Sequence, residues 1–380
     1  YTAVRCTLDR QLPAVLNDMR RRGIYRPSHV WRKAVWDNLS RSWKKDSAYC
    51  PVRRYPHLTI IDCFSTAFVI VLLCVFILSA EEARVLIKKI HVVKYRKLQD
   101  MDFDLSKGIN VISGTNGTCK TSLLHMVSNA YQAVTKKCDW LQDAACLDVI
   151  KQINSMTNPK IESLTKGDKT YNDPANGAKG TLFTVDYYGQ ASLEFRKHNS
   201  KLSSRYAVKP WYRPGTTEKL PFCPVIYLGL TRLYPFGEYL NDEAVEKLKK
   251  NLPVAYQNEI ADIYKRLTGI SISSVSPQKM GDIKTRADFE SDKAGIDSNT
   301  ISAGEDNLFI IISALVSLKY YFQNITSTNE IESVLLIDEF DATLHPSLQF
   351  KLLDIFRTYS TDYKICLLYT SPSPRDTERS

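Results

Sequence analysis

Residues 114–122 read GTNGTCKTS, one residue short of G-x-x-x-x-G-K-[ST], the pattern of a loop that cradles nucleotide phosphates. Cys119 stands where that pattern has its second glycine. The surroundings are those such a loop needs. Ile109–Ser113 before it is apolar and β-branched and reads as a strand. After it, SLLHMVSNAYQAV sets Leu123, Leu124, Val127, Tyr131 and Val134 at helical spacing.

A glycine-rich turn lets successive backbone N–H groups converge on phosphate oxygens, and the positive end of the next helix adds to the attraction. Lys120 would reach the β- and γ-phosphates, and the Thr121 hydroxyl would ligate Mg2+. Gly114 and Gly117 keep the positions where the backbone needs freedom. Cys119 puts a compact side chain just before the lysine, which is expected to narrow or strain the loop at modest cost.

Two further motifs fit the same chemistry. SVLLI, residues 333–337, reads as a buried strand ending in Asp338 and Glu339, within DEFDATLHP. Paired carboxylates at the end of a buried strand call for a cation or a partner; the plainer alternative is two solvated acids. In the Walker B-like reading, Asp338 holds Mg2+, directly or through water, and Glu339 polarises the attacking water. ISAGEDN, residues 301–307, opens the apolar helix LFIIISALVSLKYYF. Ser302 and Gly304 fall at its N-terminus, an anion site in one reading and an ordinary cap in the other.

The rest of the body is consistent with an α/β chain. Residues 86–93 read as a strand, and TLFTVDYYGQASLEFRKH reads as an antiparallel hairpin around Gly189. PVIYLGL, from Pro224, is a strand of the buried kind. Residues 156–180 are polar and read as an exposed loop. Asn241, followed by Asp242 and Glu243, is expected to cap a helix that Pro253 breaks or restarts. The SLQFKLLDIFRTY stretch is a further helix. Together these imply a parallel α/β core with an antiparallel β insertion and a helical lobe.

With 380 residues, 44% of them hydrophobic, the chain can bury a substantial core. Its net charge is +10, but residues 1–84 account for +7 of this and residues 85–365 for only +3. A DNA partner therefore draws no support from net charge. The nine cysteines show no C-x-x-C pair and no spacing with histidine that suits zinc, so free thiols in a reducing compartment are expected. Residues 63–80 carry no charge and approach the length of a membrane span, flanked by Arg53 and Arg54 before and Glu81 and Glu82 after. A membrane anchor, a buried strand–helix run and translation upstream of the authentic start all remain open for residues 1–84. The chain begins at Tyr1, which reads as a fragment or a translated frame. Residues 366–376 resemble the conceptual translation of a transposon-type sequencing adapter, so the natural chain is expected to be interrupted near Ile365, with 366–380 foreign to it.

On GTNGTCKTS, ISAGEDN and LLIDEFDATLHP, residues 85–365 resemble ABC-type ATPase heads of the SMC, RecF and OLD-like class. They are similar in particular to bacterial anti-phage "AAA family ATPase" proteins, including the Septu-type ATPase. The resemblance implies a P-loop NTPase core and a cytoplasmic, bacterial protein in which two heads sandwich two ATP molecules with Mg2+. It assigns nucleotide binding to Gly114, Thr115, Asn116, Gly117, Thr118, Cys119, Lys120, Thr121 and Ser122, with Arg96 of the KYRKL segment approaching the nucleotide. Thr121 and Asp338 would hold the metal and Glu339 would be catalytic. Ser302, Gly304 and Glu305 would touch the γ-phosphate held by an opposing subunit, and 341–346 would lie at the dimer interface. Residues 227–232 are the candidate Q-loop, the expected switch histidine is missing, and His345 does not replace it. An ATP-driven switch controlling a DNA-directed effector, such as a nuclease partner in anti-phage defence or DNA repair, is the function implied. A transporter ATPase anchored by 63–80, or a nucleotide-binding scaffold without turnover, are the alternatives.

Overall fold

The computed structural model describes residues 86–164, 173–198, 207–215, 219–326, 329 and 331–372. All of them belong to one of the two units into which the chain divides, Ala83–Ser380. The apolar stretch 63–80 and the tail 373–380 lie outside the described residues.

Strand β1 (Ile87–Tyr95) pairs antiparallel with β2 (Leu98–Asp104), and β3 (Ile109–Ser113) then leads through the glycine loop into α1 (Lys120–Asn129). Helix α1 stops at Asn129, short of the helix expected to Val134; Tyr131 and Val134 are buried beyond its end. The Tyr131 hydroxyl there accepts a hydrogen bond from the Ile87 N–H at 3.1 Å. Helices α2 (Ala145–Ile153) and α3 (Ile161–Leu164) follow. The second corrects the reading of 156–180 as simply exposed, since Ile161 is fully buried.

Strands β4 (Thr181–Tyr187), β5 (Leu193–His198) and β6 (Ala207–Trp211) add to the first pair in the antiparallel order β2-β1-β4-β5-β6. The hairpin expected around Gly189 is therefore β4–β5, with Phe183 and Phe195 stacked across it at 4.6 Å between ring centres. Next comes β7 (Val225–Leu228), then three short 3-10 turns, the last at Asp242–Ala244, and β8 (Val245–Lys247). No α-helix opens at Asn241, contrary to its capping signal. Residues 245–247 pair instead with β9 (Ile272–Met280), and tertiary pairing outweighs the local cap. The helix α4 (Val254–Thr268) starts only after Pro253, and β10 (Lys284–Ser291) completes a three-stranded sheet in the order β10-β9-β8.

Helix α5 (Ala303–Gln323), strand β11 (Ser333–Ile337), helix α6 (Pro346–Asp362) and strand β12 (Ile365–Ser371) close the chain. Four strands form the parallel sheet β3-β12-β11-β7. Its central members are buried on both faces, as covered parallel strands are. In β11, Leu335 and Ile337 face a core built with α4, α5 and α6, while Val334 and Leu336 face a second core shared with α1 and the antiparallel sheet. Strand β12 divides alike, with Ile365, Leu367 and Tyr369 on one side and Cys366 and Leu368 on the other. Residues 366–371, within the stretch expected to be foreign to the natural chain, lie between β3 and β11. Helix α5 is covered all round, with Leu315, Val316 and Leu318 fully buried. No described helix is long and apolar enough to cross a membrane. The result is the expected mixed α/β P-loop architecture, its antiparallel strands split between two sheets.

Candidate nucleotide-binding site

Parallel strands deliver side chains and loops to one end of a sheet, and here the C-terminal ends of β3, β11 and β12 meet. The loop after β3 turns through Gly117 at φ 78 and Cys119 at φ 68, so Cys119 occupies the left-handed region that glycine adopts freely. The strain anticipated from a side chain at this position therefore lies in the backbone of Cys119 itself. Lys120 folds back over the loop, its Nζ donating to the carbonyls of Gly114 at 2.6 Å and Thr115 at 3.1 Å. The Thr118 hydroxyl donates to the same Thr115 carbonyl at 2.8 Å. A Cβ placed on Gly117 would lie 3.4 Å from the Lys97 ammonium, so a second cation borders the loop.

Helix α1 starts at Lys120, which presents its first N–H groups to the same space. Thr121 joins the loop to the acidic strand end: its Oγ1 donates to the Asp338 carboxylate, 2.9 Å from Oδ2 and 3.1 Å from Oδ1. Asp338 is 2% exposed and accepts a further bond from Thr370 Oγ1 at 2.8 Å. The Thr370 hydroxyl in turn accepts from the Glu339 N–H at 2.6 Å. Glu339 is half-buried and holds φ 49, a left-handed turn that ends the strand abruptly. Among the described residues no group of three or more His, Cys, Asp or Glu side chains could enclose a metal. The donors present, one hydroxyl and one carboxylate, fit Mg2+, which takes few protein ligands and completes its octahedron with water and phosphate oxygens.

Arg96, expected to approach the nucleotide, donates from its Nη1 to Ser122 Oγ at 3.1 Å, while its own backbone is left-handed at φ 54. Behind the loop, His125 is 5% exposed, with Nε2 3.2 Å from the Tyr227 hydroxyl and Nδ1 unpartnered. Burial, and secondarily the Arg96 charge, bring its pKa down to about 4. Tyr227 is pushed well up, by burial first and by Asp338 next.

The residues of ISAGEDN form a separate cluster. Ser302 caps α5 in a capping box: Glu305 N–H donates to Ser302 Oγ at 3.2 Å, and Ser302 N–H donates to Glu305 Oε2 at 2.8 Å. A Cβ on Gly304 would sit 2.4 Å from the Thr343 carbonyl oxygen, so no other residue fits without moving the 341–346 loop. Asn307 Nδ2 donates to Ala342 O at 3.1 Å and to Thr343 Oγ1 at 3.2 Å, fixing that loop from the helix side. His345 caps α6, accepting from Ser347 N–H at 3.3 Å.

Arg232 joins the two clusters. It sits in the 3-10 turn Leu230–Leu233, is 3% exposed, and lies in the segment read as the candidate Q-loop. Its Nε donates to Asn307 Oδ1 at 2.9 Å, Nη1 to the Leu228 and Gly229 carbonyls at 3.1 and 3.0 Å, and Nη2 to the Glu339 carbonyl at 2.9 Å. Burial brings its pKa down to about 10, against the pull of Asp338, so it stays charged at neutral pH. Sequence reasoning missed three of these residues as parts of the site. Asn307 stood inside a quoted motif without a role. Arg232 gave one weak signal, a cation four residues past a buried strand, and Thr370 lay in the stretch expected to be foreign.

No protein-family model matches the chain, and no curated protein does. Among solved structures it is similar to the SMC head domain from Thermotoga maritima, with TM-score 0.35 and 11% identity over 75% of this chain and 89% of that one. It is also similar to the recombination mediator protein RecF-ATP of the RecFOR pathway, with TM-score 0.40 and 11% identity over 77% and 95% of the two chains. A third likeness is the Pyrococcus furiosus Smc head with an extended coiled coil bound to the C-terminal domain of ScpA, with TM-score 0.39 and 12% identity over 75% and 89%.

Proposed function

We propose that the chain binds ATP with Mg2+ and hydrolyses it, as a head that pairs with a second copy of itself. The observation that carries this reading is the bond from Thr121 Oγ1 to the buried Asp338 carboxylate, because it sets the two metal-binding side chains of a phosphate site side by side. When bound, Mg2+ would neutralise charge on the β- and γ-phosphates. Lys120 exchanges its loop carbonyls for phosphate oxygens, and the N–H groups of 114–121 hold the triphosphate in place. Glu339, one residue beyond Asp338, orients the attacking water and accepts its proton. Arg96, held on Ser122, adds positive charge beside the loop.

Ser302, Gly304 and Glu305 act across the interface between copies, on the nucleotide of the partner. Support for this comes from their position: Gly304 packs against the Thr343 carbonyl within its own chain, and both Ser302 and Thr343 are exposed. The closure of two heads on ATP and their release after hydrolysis would drive an effector. On the resemblance of the motifs, that effector is DNA-directed, such as a nuclease partner in anti-phage defence or DNA repair.

Lys120→Ala tests the site. The loss of a charge-assisted bond to phosphate, worth about 1.5–3 kcal/mol, should lower ATP affinity measured by fluorescent-analogue titration by about 10- to 150-fold. Retained tight binding would sink the assignment of the loop.

A further inference from the structure

The first turns of α5 and the strand end at Glu339 belong to different clusters, yet one buried cation holds both. Arg232 donates to Asn307 on α5 and to the backbone carbonyl of Glu339, and its two remaining bonds tie it to the end of β7. The turn carrying Arg232 is itself clamped. Lys284 of β10, 3% exposed, donates to the Arg232 carbonyl at 3.1 Å and forms a buried ion pair with Asp306. Asp306 and Asn307 are adjacent on α5, so the helix is gripped at two successive residues. Asn307 also bonds Ala342 and Thr343, just past Glu339.

We propose that Arg232 is a positioning residue for hydrolysis: it transmits the position of the α5 N-terminus to the backbone that aims Glu339. The inference rests on the ATP-hydrolysis reading above. Its physical basis is the left-handed turn at Glu339, φ 49, a conformation that an ordinary residue keeps only when its surroundings enforce it. The Arg232 guanidinium provides that enforcement at the Glu339 carbonyl and the Thr370 hydroxyl at its N–H. A planar, always-charged fork satisfies all four acceptors at once, and no other side chain has that geometry. When a partner's nucleotide engages Ser302 and Gly304, any shift of α5 reaches Glu339 through Asn307 and Arg232. The site would then be fully aimed only in the closed pair.

The experiment is steady-state and single-turnover kinetics of the full chain and its Arg232→Gln, Arg232→Lys and Asn307→Ala variants, with Mg-ATP affinity measured separately. Misaiming a water-orienting carboxylate by a fraction of an ångström is expected to lower kcat of Arg232→Gln about 10- to 100-fold, while the Kd for Mg-ATP changes less than about threefold. Arg232→Lys, keeping the charge but not the fork, should recover part of that loss. Asn307→Ala leaves Arg232 on Glu339 and removes its link to α5, together with the bonds from α5 to Ala342 and Thr343; it should lower kcat at unchanged affinity, and combining it with Arg232→Gln should cause less than the product of the two losses. Because Asn307→Ala spares the buried cation, it answers the question even where Arg232→Gln fails to fold. Full kcat in Asn307→Ala, or kcat and affinity falling together in both variants, would overturn the proposal. A wild-type chain that binds Mg-ATP without turnover would instead overturn the hydrolysis reading beneath it.

Discussion

Cys119 shows how a single residue departs from a phosphate-loop pattern without destroying the loop. Its φ of 68 places a side chain in left-handed backbone, which costs about 1–2 kcal/mol relative to the right-handed region. Glycine would relieve that strain, although its greater freedom in the unfolded chain cancels part of the gain. Cys119→Gly is therefore expected to raise unfolding free energy by up to about 1 kcal/mol and to leave ATP affinity intact. A clear loss of stability in a denaturant titration would show that packing of the thiol against the core beside α1 outweighs the strain. Six residues on, His125 makes a pH-dependent contribution whose sign follows from burial. Its pKa is about 4 in the folded chain, against an ordinary value of 6.5. Between those values the unfolded chain binds the extra proton, so stability falls as pH falls from about 6.5 to about 4, on the order of 1 kcal/mol per unit. His125→Gln should flatten the stability profile over that window, measured as Tm against pH. An unchanged slope would assign the acid sensitivity elsewhere. The sequence pointed to Cys119 through the missing glycine, but gave no hint of His125, whose titration depends on what β7 and Arg96 place around it.

At the scale of elements, the start of α5 is the most constrained point of the site. Ser302 and Glu305 fix the helix N-terminus, and Gly304 lets the Thr343 carbonyl approach to a distance no Cβ permits. Gly304→Ala must displace backbone rather than a flexible side chain, and overpacking of this kind costs about 1–3 kcal/mol. The expected outcome is a Tm lower by several degrees, together with slower hydrolysis, because 341–346 follows Glu339 directly; a variant as stable as wild type would mean that the contact relaxes freely. This helix was legible because its cap and apolar run are local signals. So were β7 and β11, continuous apolar runs that suit strands covered on both faces. The segment after Asn241 misled for the opposite reason. Its capping signal is genuine, but 245–247 gains more by joining β9, and nothing within those residues announces a partner some thirty positions away. Arg232 was hidden in the same way, since its four acceptors come from β7, α5 and the end of β11.

For the whole molecule, the proposed function divides the ATP site between two clusters of one chain. The loop 114–122 meets Asp338 at one place, while Gly304, beside Ser302, packs against Thr343 at another, and Arg232 bonds both Asn307 of α5 and Glu339. A triphosphate seated on the first half-site would be completed by the second half-site of another copy. Glu339→Gln removes the base while leaving Thr121, Asp338 and Lys120 in place, so Mg-ATP should bind but turn over at least about 100-fold more slowly. The bound γ-phosphate then persists, and a sandwich that depends on it should accumulate as a species of twice the chain mass in sedimentation velocity, with ATP and not with ADP. Ser302→Arg added to Glu339→Gln puts a long cation on the exposed cap of α5 and should return the protein to monomer at unchanged Mg-ATP affinity. Unchanged turnover in Glu339→Gln would remove it as the base. Dimer formation indifferent to nucleotide, or insensitive to Ser302→Arg, would separate the two clusters functionally and leave each head to hydrolyse ATP alone.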